Sequence, residues 1–148
     1  MMTAIATSRF GRIDIEPEDV FHFPQGILGM EDCRDWVMLI DSQNDVLKWL
    51  QSTQHPEVAL AVVSPQQFVA DYKVRVSGRE LASLHLEDAR RAQILAIVSK
   101  SQGTITLNLR APLVLHPRHR LGCQVVTKDP YPIQYVLQTE AALLRKSA

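Results

Sequence analysis

Short apolar runs separated by turn residues recur along the chain, and they restrict its fold more than any other feature. In Gly11–Ile15 polar and apolar residues alternate, which is typical of a strand with one buried face. The run 36–40 is apolar throughout and predicts a well-buried strand. The residues 101–103 form a hairpin-type turn before the alternating run 104–109. Strands are predicted at 11–15, 20–23, 36–40, 46–51, 58–63, 72–76, 94–98, 104–109, 113–115 and 123–126.

This series of strands indicates the fold class. A regular spacing of roughly 8–12 residues is typical of an all-β barrel or sandwich. We expect an all-β fold, a small and mainly antiparallel β-barrel with one short helix and a helix-forming C-terminal tail. Ser77 and Glu80 fit a capping box, and Leu81 and Leu84 then share one helix face. In the tail, 139–146 contains helix formers followed by basic residues.

The chain is predicted to form one domain, 1–148. Its length of 148 residues is that of one ordinary domain. Residues 1–127 contain no repeat and no linker-like stretch, and the prolines at 112 and 130 are expected to interrupt or stop strands. We therefore place the barrel core at about 1–128 and an appended tail at 129–148.

Composition indicates the class of protein and its compartment. A hydrophobic fraction of 46% with 22% charged residues is typical of a packed, soluble domain. The N-terminus lacks the basic and apolar regions of a signal peptide, and no apolar run is long enough for a membrane helix. Cys33 and Cys123 are then expected to be reduced and buried. We predict a cytoplasmic protein that does not bind membranes.

The formal net charge is zero, but the charges are unevenly distributed. Residues 1–57 hold ten acidic and four basic residues, a net charge of −6, whereas residues 90–148 hold nine basic and two acidic residues, a net charge of +7. If the two parts stay apart in the fold, the acidic surface could attract a basic partner. Alternatively, they neutralise each other within one barrel.

Motifs of catalysis and metal binding are missing from the sequence. It contains no G-x-S-x-G and no phosphate-binding loop. Cys33 lies among acidic residues, which would raise its pKa and weaken it as a nucleophile. His116 and His119 lack further ligands to complete a metal site with Cys123. We therefore expect no enzymatic activity, no metal and no cofactor.

The segment 21–31 is instead typical of a protein-binding corner. Phe21 and Phe23 alternate as in a strand, Pro24 ends it, and the two following glycines allow the chain to reverse direction. The corner is expected to expose apolar residues beside two acidic ones. These residues are Ile27, Leu28, Met30, Glu31 and Asp32.

An alternative function is direct binding of single-stranded RNA. Small barrels bind RNA through a basic edge combined with aromatic side chains. The candidate basic residues are Arg110, His116, Arg118, His119, Arg120 and Lys128. Tyr131 is the aromatic residue close to them in sequence, and a solvated hairpin tip explains the same residues.

An ordered set of short motifs gives the chain a family resemblance. They begin with 21–31, F-H-F-P-Q-G-I-L-G-M-E, and continue with 49–52, W-L-Q-S. Further along come 106–114, T-L-N-L-R-A-P-L-V, and 122–126, G-x-Q-V-V. Together they resemble the flagellar assembly factor FliW family, in register from about residue 8 to 127.

The resemblance implies a function. Members of this family are small cytoplasmic β-barrels without enzymatic activity that bind flagellin before export. They also bind the translational regulator CsrA, which represses flagellin synthesis. Flagellin that accumulates would occupy the protein, and export of flagellin would free it to antagonise CsrA, which is a linkage between two partners. We expect a monomer that binds these two proteins and no nucleic acid.

Residues of the corner, polar residues within strands and residues of the family motifs are the predicted protein contacts. They are Ile27, Leu28, Met30, Glu31, Asp32, Gln51, Asp71, Tyr72, Asn108 and Arg110. For Gln51 and Asn108 a second role is open, the satisfaction of backbone groups at the barrel edge. Compared with the usual family pattern, Met30 and Leu60 replace Phe, Ala70 replaces Pro and His116 replaces Asn.

Overall fold

A computed structural model of the chain describes residues 2–75, 78–85 and 91–137. Strands dominate these residues, and the helices are short. The strands are β1 (Thr3–Thr7), β2 (Gly11–Ile15), β3 (Val20–His22), β4 (Asp35–Ile40), β5 (Lys48–Ser52), β6 (Ala59–Val63), β7 (Gln93–Ser101), β8 (Thr104–His116), β9 (Leu121–Gln124) and β10 (Tyr135–Val136). Helix α1 (Gly78–Leu81) continues into a 3₁₀ turn (Ala82–Leu84), and two more 3₁₀ turns lie at Pro17–Asp19 and Pro65–Gln67.

Seven of the strands close into a barrel in the order β8-β7-β6-β5-β4-β3-β9, because β9 pairs again with β8. Every pairing in this ring is antiparallel except β3 with β9. Strand β10 adds to the outer edge of β8, and β1 with β2 forms a separate hairpin. The prediction of an all-β, mainly antiparallel barrel is therefore confirmed, although β1 was not among the predicted strands.

Large apolar side chains fill the barrel interior. Phe23 and Trp36 are fully buried there, and both cysteines are free and buried, as predicted. Close packing explains Gly122, since a Cβ at this position would lie 2.4 Å from Cζ of Phe23. The residue must therefore be glycine for β9 to lie against Phe23.

Strand β8 continues past Pro112 as one strand with a bulge, so the prediction that this proline interrupts the strand is wrong. The register against β7 shifts here: Leu113 pairs with Leu95, but Asn108 pairs with Ile97. Pro112 lies in the resulting bulge, where its missing N–H is not needed for the ladder. Its carbonyl accepts a hydrogen bond from the amide of Val125 at 3.1 Å.

The alternating segment 72–76 is not a strand over its described residues, Tyr72 to Arg75. Its hydrogen bonds go to the chain that follows β9 rather than to a ladder. The amide of Arg75 donates to Thr127 Oγ1, and the carbonyl of Arg75 accepts from the amide of Lys128 at 2.7 Å. Alternation therefore reflects burial of Tyr72 and partial burial of Val74, without strand pairing.

The packed body extends beyond the predicted core boundary at about residue 128. Strand β10 pairs with β8, Leu137 is buried, and the ring of Tyr131 contacts that of Tyr72 with centroids 4.6 Å apart. The described part of the predicted tail therefore belongs to the barrel. The helix predicted at 139–146 and the capping residue Ser77 lie outside the described residues, whereas Leu84 is buried as the predicted helix face requires.

None of the helices in the described part of the chain has the length and apolarity that a bilayer-crossing helix needs.

Candidate functional site

The corner after β3 is built by two hydrogen-bonded turns. The amide of Gly26 donates to the carbonyl of Phe23 at 2.9 Å, and the amide of Met30 donates to the carbonyl of Ile27 at 2.8 Å. Gly26 has φ 71°, and a Cβ there would lie 2.8 Å from the Cα of Glu31. The chain reversal thus requires glycine, as the sequence predicted.

The corner directs its apolar residues to different places. Leu28 is 77% exposed, as predicted, whereas Ile27 is 0% exposed and belongs to the barrel core. Met30 is half-buried and packs against the same core. The prediction of Ile27 as an exposed contact is wrong, because the turn that exposes Leu28 points the preceding side chain into the barrel.

A cleft of about 210 Å³ separates the corner from the chain after β9. We call it the corner cleft. It is lined by Gln25, Gly26, Leu28, Glu31, Ala111, Gln124 and Val126. The amide of Leu28 donates to Gln124 Oε1 at 2.8 Å, and Gln124 Nε2 donates to the carbonyl of Ala111 at 3.1 Å. The Gln124 side chain therefore joins the corner to β8 across the cleft.

The two sides of the corner cleft each present an exposed apolar side chain. Leu28 stands on one side, and Val126, 58% exposed, stands on the other. Water covers both side chains in the free protein, so a partner that covers them removes apolar area from water. The arrangement can therefore receive an apolar side chain of another protein.

The rim of the corner cleft is acidic. Glu31 and Asp32 are exposed, and Glu31 Oε2 also accepts a hydrogen bond from the amide of Gly29 at 3.1 Å. The nearby cation, Arg34, is tied to the corner backbone, because its guanidinium donates to the carbonyls of Pro24 at 2.6 Å and Glu31 at 3.2 Å. The guanidinium of Arg34 keeps its charge, so two carboxylates beside one cation leave the corner with an excess of negative charge, which favours a positively charged partner.

A second, larger groove of about 580 Å³ lies on the side of the segment 71–75. We call it the Arg75 groove. It is lined by Asp71, Lys73, Arg75, Asp129, Pro130 and Tyr131. Arg75 and Asp129 form a bidentate ion pair, with Nε 3.0 and 3.1 Å from the two carboxylate oxygens. This hydrogen bonding raises the pKa of Arg75 and lowers the pKa of Asp129.

Of the predicted contacts near the Arg75 groove, Asp71 and Arg110 are exposed and Tyr72 is not. Arg110 Nε donates to the carbonyl of Tyr131 at 2.8 Å. The hydroxyl of Tyr72 donates to the carbonyl of Leu109 at 2.6 Å inside the barrel, and burial raises its pKa. Tyr72 is therefore a buried residue that packs under Tyr131 in the floor of the Arg75 groove, and its side chain is not exposed for contact with a partner.

Gln51 and Asn108 take the structural role that the sequence left open. Gln51 is fully buried, and its Nε2 donates to backbone carbonyls of the turn after β5. Asn108 is half-buried, and its Oδ1 accepts from the amide of Ala111 at 3.0 Å inside the β8 bulge. Both side chains therefore add hydrogen bonds to backbone groups where the strands are irregular.

The basic residues proposed as an RNA-binding edge differ in their burial and in their hydrogen-bond partners. His116 is buried and stacks on His119 with ring centroids 4.1 Å apart. The guanidinium of Arg120 lies 3.7 Å from the ring centroid of Phe21 and donates to the carbonyl of Asp19. Arg110 lies in the β8 bulge, where its Nε donates to the carbonyl of Tyr131. His116 is therefore buried instead of lying on a basic surface, and Arg120 is engaged with Phe21 and Asp19.

Among the described residues, no group of three or more His, Cys, Asp or Glu side chains could hold a metal ion. The two thiols are poor nucleophiles, because burial raises the pKa of Cys33 and raises that of Cys123 to about 11.

Two residues of the corner cleft, Gln124 and Val126, are not among the contacts predicted from the sequence. Their alternation within the G-x-Q-V-V motif, two residues apart, was the signal that could have placed both on one side of the chain. Their position opposite Leu28 follows from barrel closure, which the local pattern does not contain.

Comparison with known proteins places this fold in a family. Residues 4–137 match the family model described as FliW protein. The flagellar assembly factor FliW of Bdellovibrio bacteriovorus is 35% identical over 127 residues, 84% of this chain and 73% of that protein. That of Lachnoclostridium phytofermentans is 32% identical over 147 residues, 93% of this chain and 94% of that protein.

A solved structure gives the same result. The crystal structure of the flagellar assembly factor FliW matches this chain with a TM-score of 0.84 at 27% identity, and covers 93% of this chain and 99% of that one. The resemblance found in the sequence is therefore confirmed. The chain belongs to the FliW family of flagellar assembly factors.

Proposed function

We propose that this protein is a non-enzymatic flagellar assembly factor that binds flagellin in the cytoplasm and, when free of flagellin, binds and antagonises CsrA. Membership of the FliW family supports the proposal. The observation that carries it furthest is the corner cleft, whose lining includes the exposed residues Leu28 and Val126 together with Glu31. Exposed apolar residues with a polar rim are typical of protein-binding surfaces.

Two partners and one binding protein produce regulation by mass action. When flagellin is abundant, it reduces the concentration of free assembly factor available to CsrA. When flagellin leaves the cell, the assembly factor is released and removes CsrA from its targets. This switch needs no chemical step, which agrees with surfaces built from Leu28, Glu31 and Asp71 rather than from nucleophiles.

Co-purification with flagellin and CsrA from the same cell tests the proposal. We expect the tagged protein to retain each partner at micromolar concentration, and prior loading with flagellin to reduce the capture of CsrA. An unrelated protein of similar size and neutral charge serves as the control for retention. If neither flagellin nor CsrA is retained, the proposed function is wrong.

A further inference from the structure

The hairpin of β1 and β2 lies outside the barrel ladder. Among the described residues its two strands pair with each other alone, so each strand has one edge without a strand partner. The turn of the hairpin is attached to the barrel. The amide of Ser8 donates to the carbonyl of Pro56 at 2.9 Å, and the ring of Phe10 meets that of Trp49 edge-on with centroids 5.9 Å apart.

A cleft of about 320 Å³ lies between the hairpin and the first residues of β3 and β4. We call it the hairpin cleft. Apolar and acidic side chains both contribute to its lining, and this combination is typical of surfaces that bind other proteins. The apolar residues are Ile5, Ile15, Pro17 and Val20, and the acidic residues are Glu16 and Asp35.

The acidic side of the hairpin cleft continues into the 3₁₀ turn that follows β2. A hydrogen bond between the side chains of Glu16 and Glu18 raises the pKa of Glu16 and lowers that of Glu18. Asp19 Oδ2 accepts a hydrogen bond from the amide of Glu16 at 2.8 Å, so a third carboxylate lies beside this pair. Ionised carboxylates this close repel one another, and a cation from a partner would relieve the repulsion.

Two cations of the described chain contact this acidic side. His22 Nδ1 lies 2.7 Å from Asp35 Oδ1, and the guanidinium of Arg120 donates to the carbonyl of Asp19 at 3.1 Å. Even with His22 protonated, these two cations are fewer than the carboxylates they adjoin. Arg12 lies on the other face of the hairpin, because its side chain alternates with the isoleucines on the cleft side. The excess of negative charge therefore favours a basic partner.

Strand β1 has the character of an open edge. Its sequence T-A-I-A-T contains no charged residue and no proline, the residues that commonly prevent a sheet edge from pairing. In the described part of the chain the backbone hydrogen bonds of β1 stay within the hairpin, so a further strand would displace none from the barrel. Because neighbouring strands share their faces, alternate side chains of an added strand would lie on the same side as Thr3 and Ile5, which line the hairpin cleft.

We propose that an extended basic segment of a protein partner adds to the free edge of β1. One apolar side chain of the segment enters the hairpin cleft beside Ile5, and a Lys or Arg two positions along pairs with the carboxylates of Glu16 and Glu18. Strand addition of this kind obtains affinity from backbone hydrogen bonds and specificity from alternate side chains. The inference rests on the proposed function, because flagellin or CsrA supplies the segment, and it makes the hairpin cleft a binding surface separate from the corner cleft.

Removal of two carboxylates tests the surface. We expect the double variant Glu16→Gln with Glu18→Gln to bind its partner about tenfold more weakly at low salt, because two charge pairs with the segment are lost. Asp14→Asn with Asp45→Asn is the matched control. It removes two charges from exposed residues elsewhere, on the other face of the hairpin and between β4 and β5. The control should bind within about twofold of the wild type, and urea denaturation should show both variants folded.

Hydrogen exchange tests the added strand itself. Alternate amides of β1 point towards β2 and away from it, so in the free protein one alternate set should exchange much faster than the other. Saturation with the partner should slow the fast set by about a hundredfold or more, and the set bonded to β2 is the internal reference. Side-chain contact in the cleft without strand addition would leave the fast set unchanged and contradict the inference.

The outcomes separate the two proposals. If the wild type binds a partner but the variant at Glu16 and Glu18 binds as well as its control, or if the fast amides of β1 stay unprotected in the complex, the inference is wrong and the proposed function stands. If the wild type binds neither flagellin nor CsrA, both are wrong. Protection of the same amides that rises with protein concentration in the absence of a partner, together with a dimer in sedimentation, would assign the edge to a second copy of this chain and overturn the inference.

Discussion

At the scale of single residues, Gln51 shows how one buried amide organises a turn. Its Nε2 lies 3.0 Å from the carbonyl oxygen of Ser52 and 3.1 Å from that of Val58, with those of His55 and Pro56 at 3.4 and 3.3 Å. The carbonyls of His55, Pro56 and Val58 also accept backbone amides, so the Gln51 amide adds a second donor to a turn that backbone hydrogen bonds already close.

Gln51→Leu should destabilise the fold rather than weaken partner binding directly. A buried side-chain hydrogen bond contributes about 0.5–1.5 kcal/mol net, so we expect the free energy of unfolding to fall by about 1 kcal/mol in urea denaturation. Gln54→Leu, an exposed change in the same turn, should stay within about 0.5 kcal/mol of the wild type. Equal stability of the two variants would show that the Gln51 amide is not needed.

Cys123 gives the stability of the protein a dependence on alkaline pH. Burial, with a smaller contribution from Glu80, raises its pKa from an ordinary 9.0 to about 11. The folded thiol thus keeps its proton at pH values where the unfolded thiol has released it. Its contribution to stability is complete below about pH 9 and is lost as the pH rises towards 11.

We therefore expect the free energy of unfolding to decline between pH 9 and 11, and to decline less steeply in Cys123→Ala. Urea denaturation at several pH values across this window measures both slopes. The pKa values of Cys33 and Tyr72 are also raised by burial, so some decline should remain in the variant. Parallel slopes for the two proteins would contradict the assignment to Cys123.

At the scale of elements, β10 shows how two residues can fasten a segment to the barrel. The strand pairs Tyr135 with Leu107 and Val136 with Thr106. Leu137, 8% exposed, packs into the same cluster as Tyr72, whereas Val136 is 53% exposed. The buried side chain of Leu137 is therefore expected to stabilise the attachment of this segment more than the exposed side chain of Val136.

Leu137→Ala should lower the free energy of unfolding by about 2 kcal/mol or more, because removal of a buried leucine side chain leaves a cavity. Val136→Ala changes the neighbouring side chain on the exposed side of the segment, and it should lower the free energy of unfolding by less than about 1 kcal/mol. Chemical denaturation of both variants measures the difference. Similar losses would show that β10 is held by its backbone pairing with β8 instead.

The elements that the sequence predicts well are those whose side chains alternate along a complete strand. Such alternation records burial, so β2 and the first half of β8 could be placed from residues alone. Alternation at Tyr72 to Arg75 also records burial, yet its backbone partners, which lie 52 or more residues away, are decided by the fold. The orientation of Ile27 depends in the same way on where the barrel lies beneath the corner.

At the scale of the whole molecule, the barrel closes at its weakest seam between β3 and β9. One parallel pair, His22 with Leu121, joins these strands, and the amide of His22 donates to the carbonyl of Arg120 at 2.9 Å. The guanidinium of Arg120 stacks on Phe21 and donates to the carbonyl of Asp19 at 3.1 Å. The acidic first part of the chain and the basic last part thus meet here within one barrel.

This seam should open before the rest of the barrel does. Native-state hydrogen exchange should give the His22 amide a lower opening free energy than amides between β7 and β8, which share a long ladder.

Arg120→Met keeps much of the packing on Phe21 but removes the cation and its hydrogen bond to Asp19, so exchange at His22 should accelerate by about tenfold. Arg118→Met, an exposed change in the same turn, should leave the rate unchanged. Because the corner begins directly after β3, opening of this seam would also move Leu28 relative to Val126. Exchange of His22 only by global unfolding, at the rate of the core amides and insensitive to Arg120, would contradict a weak seam.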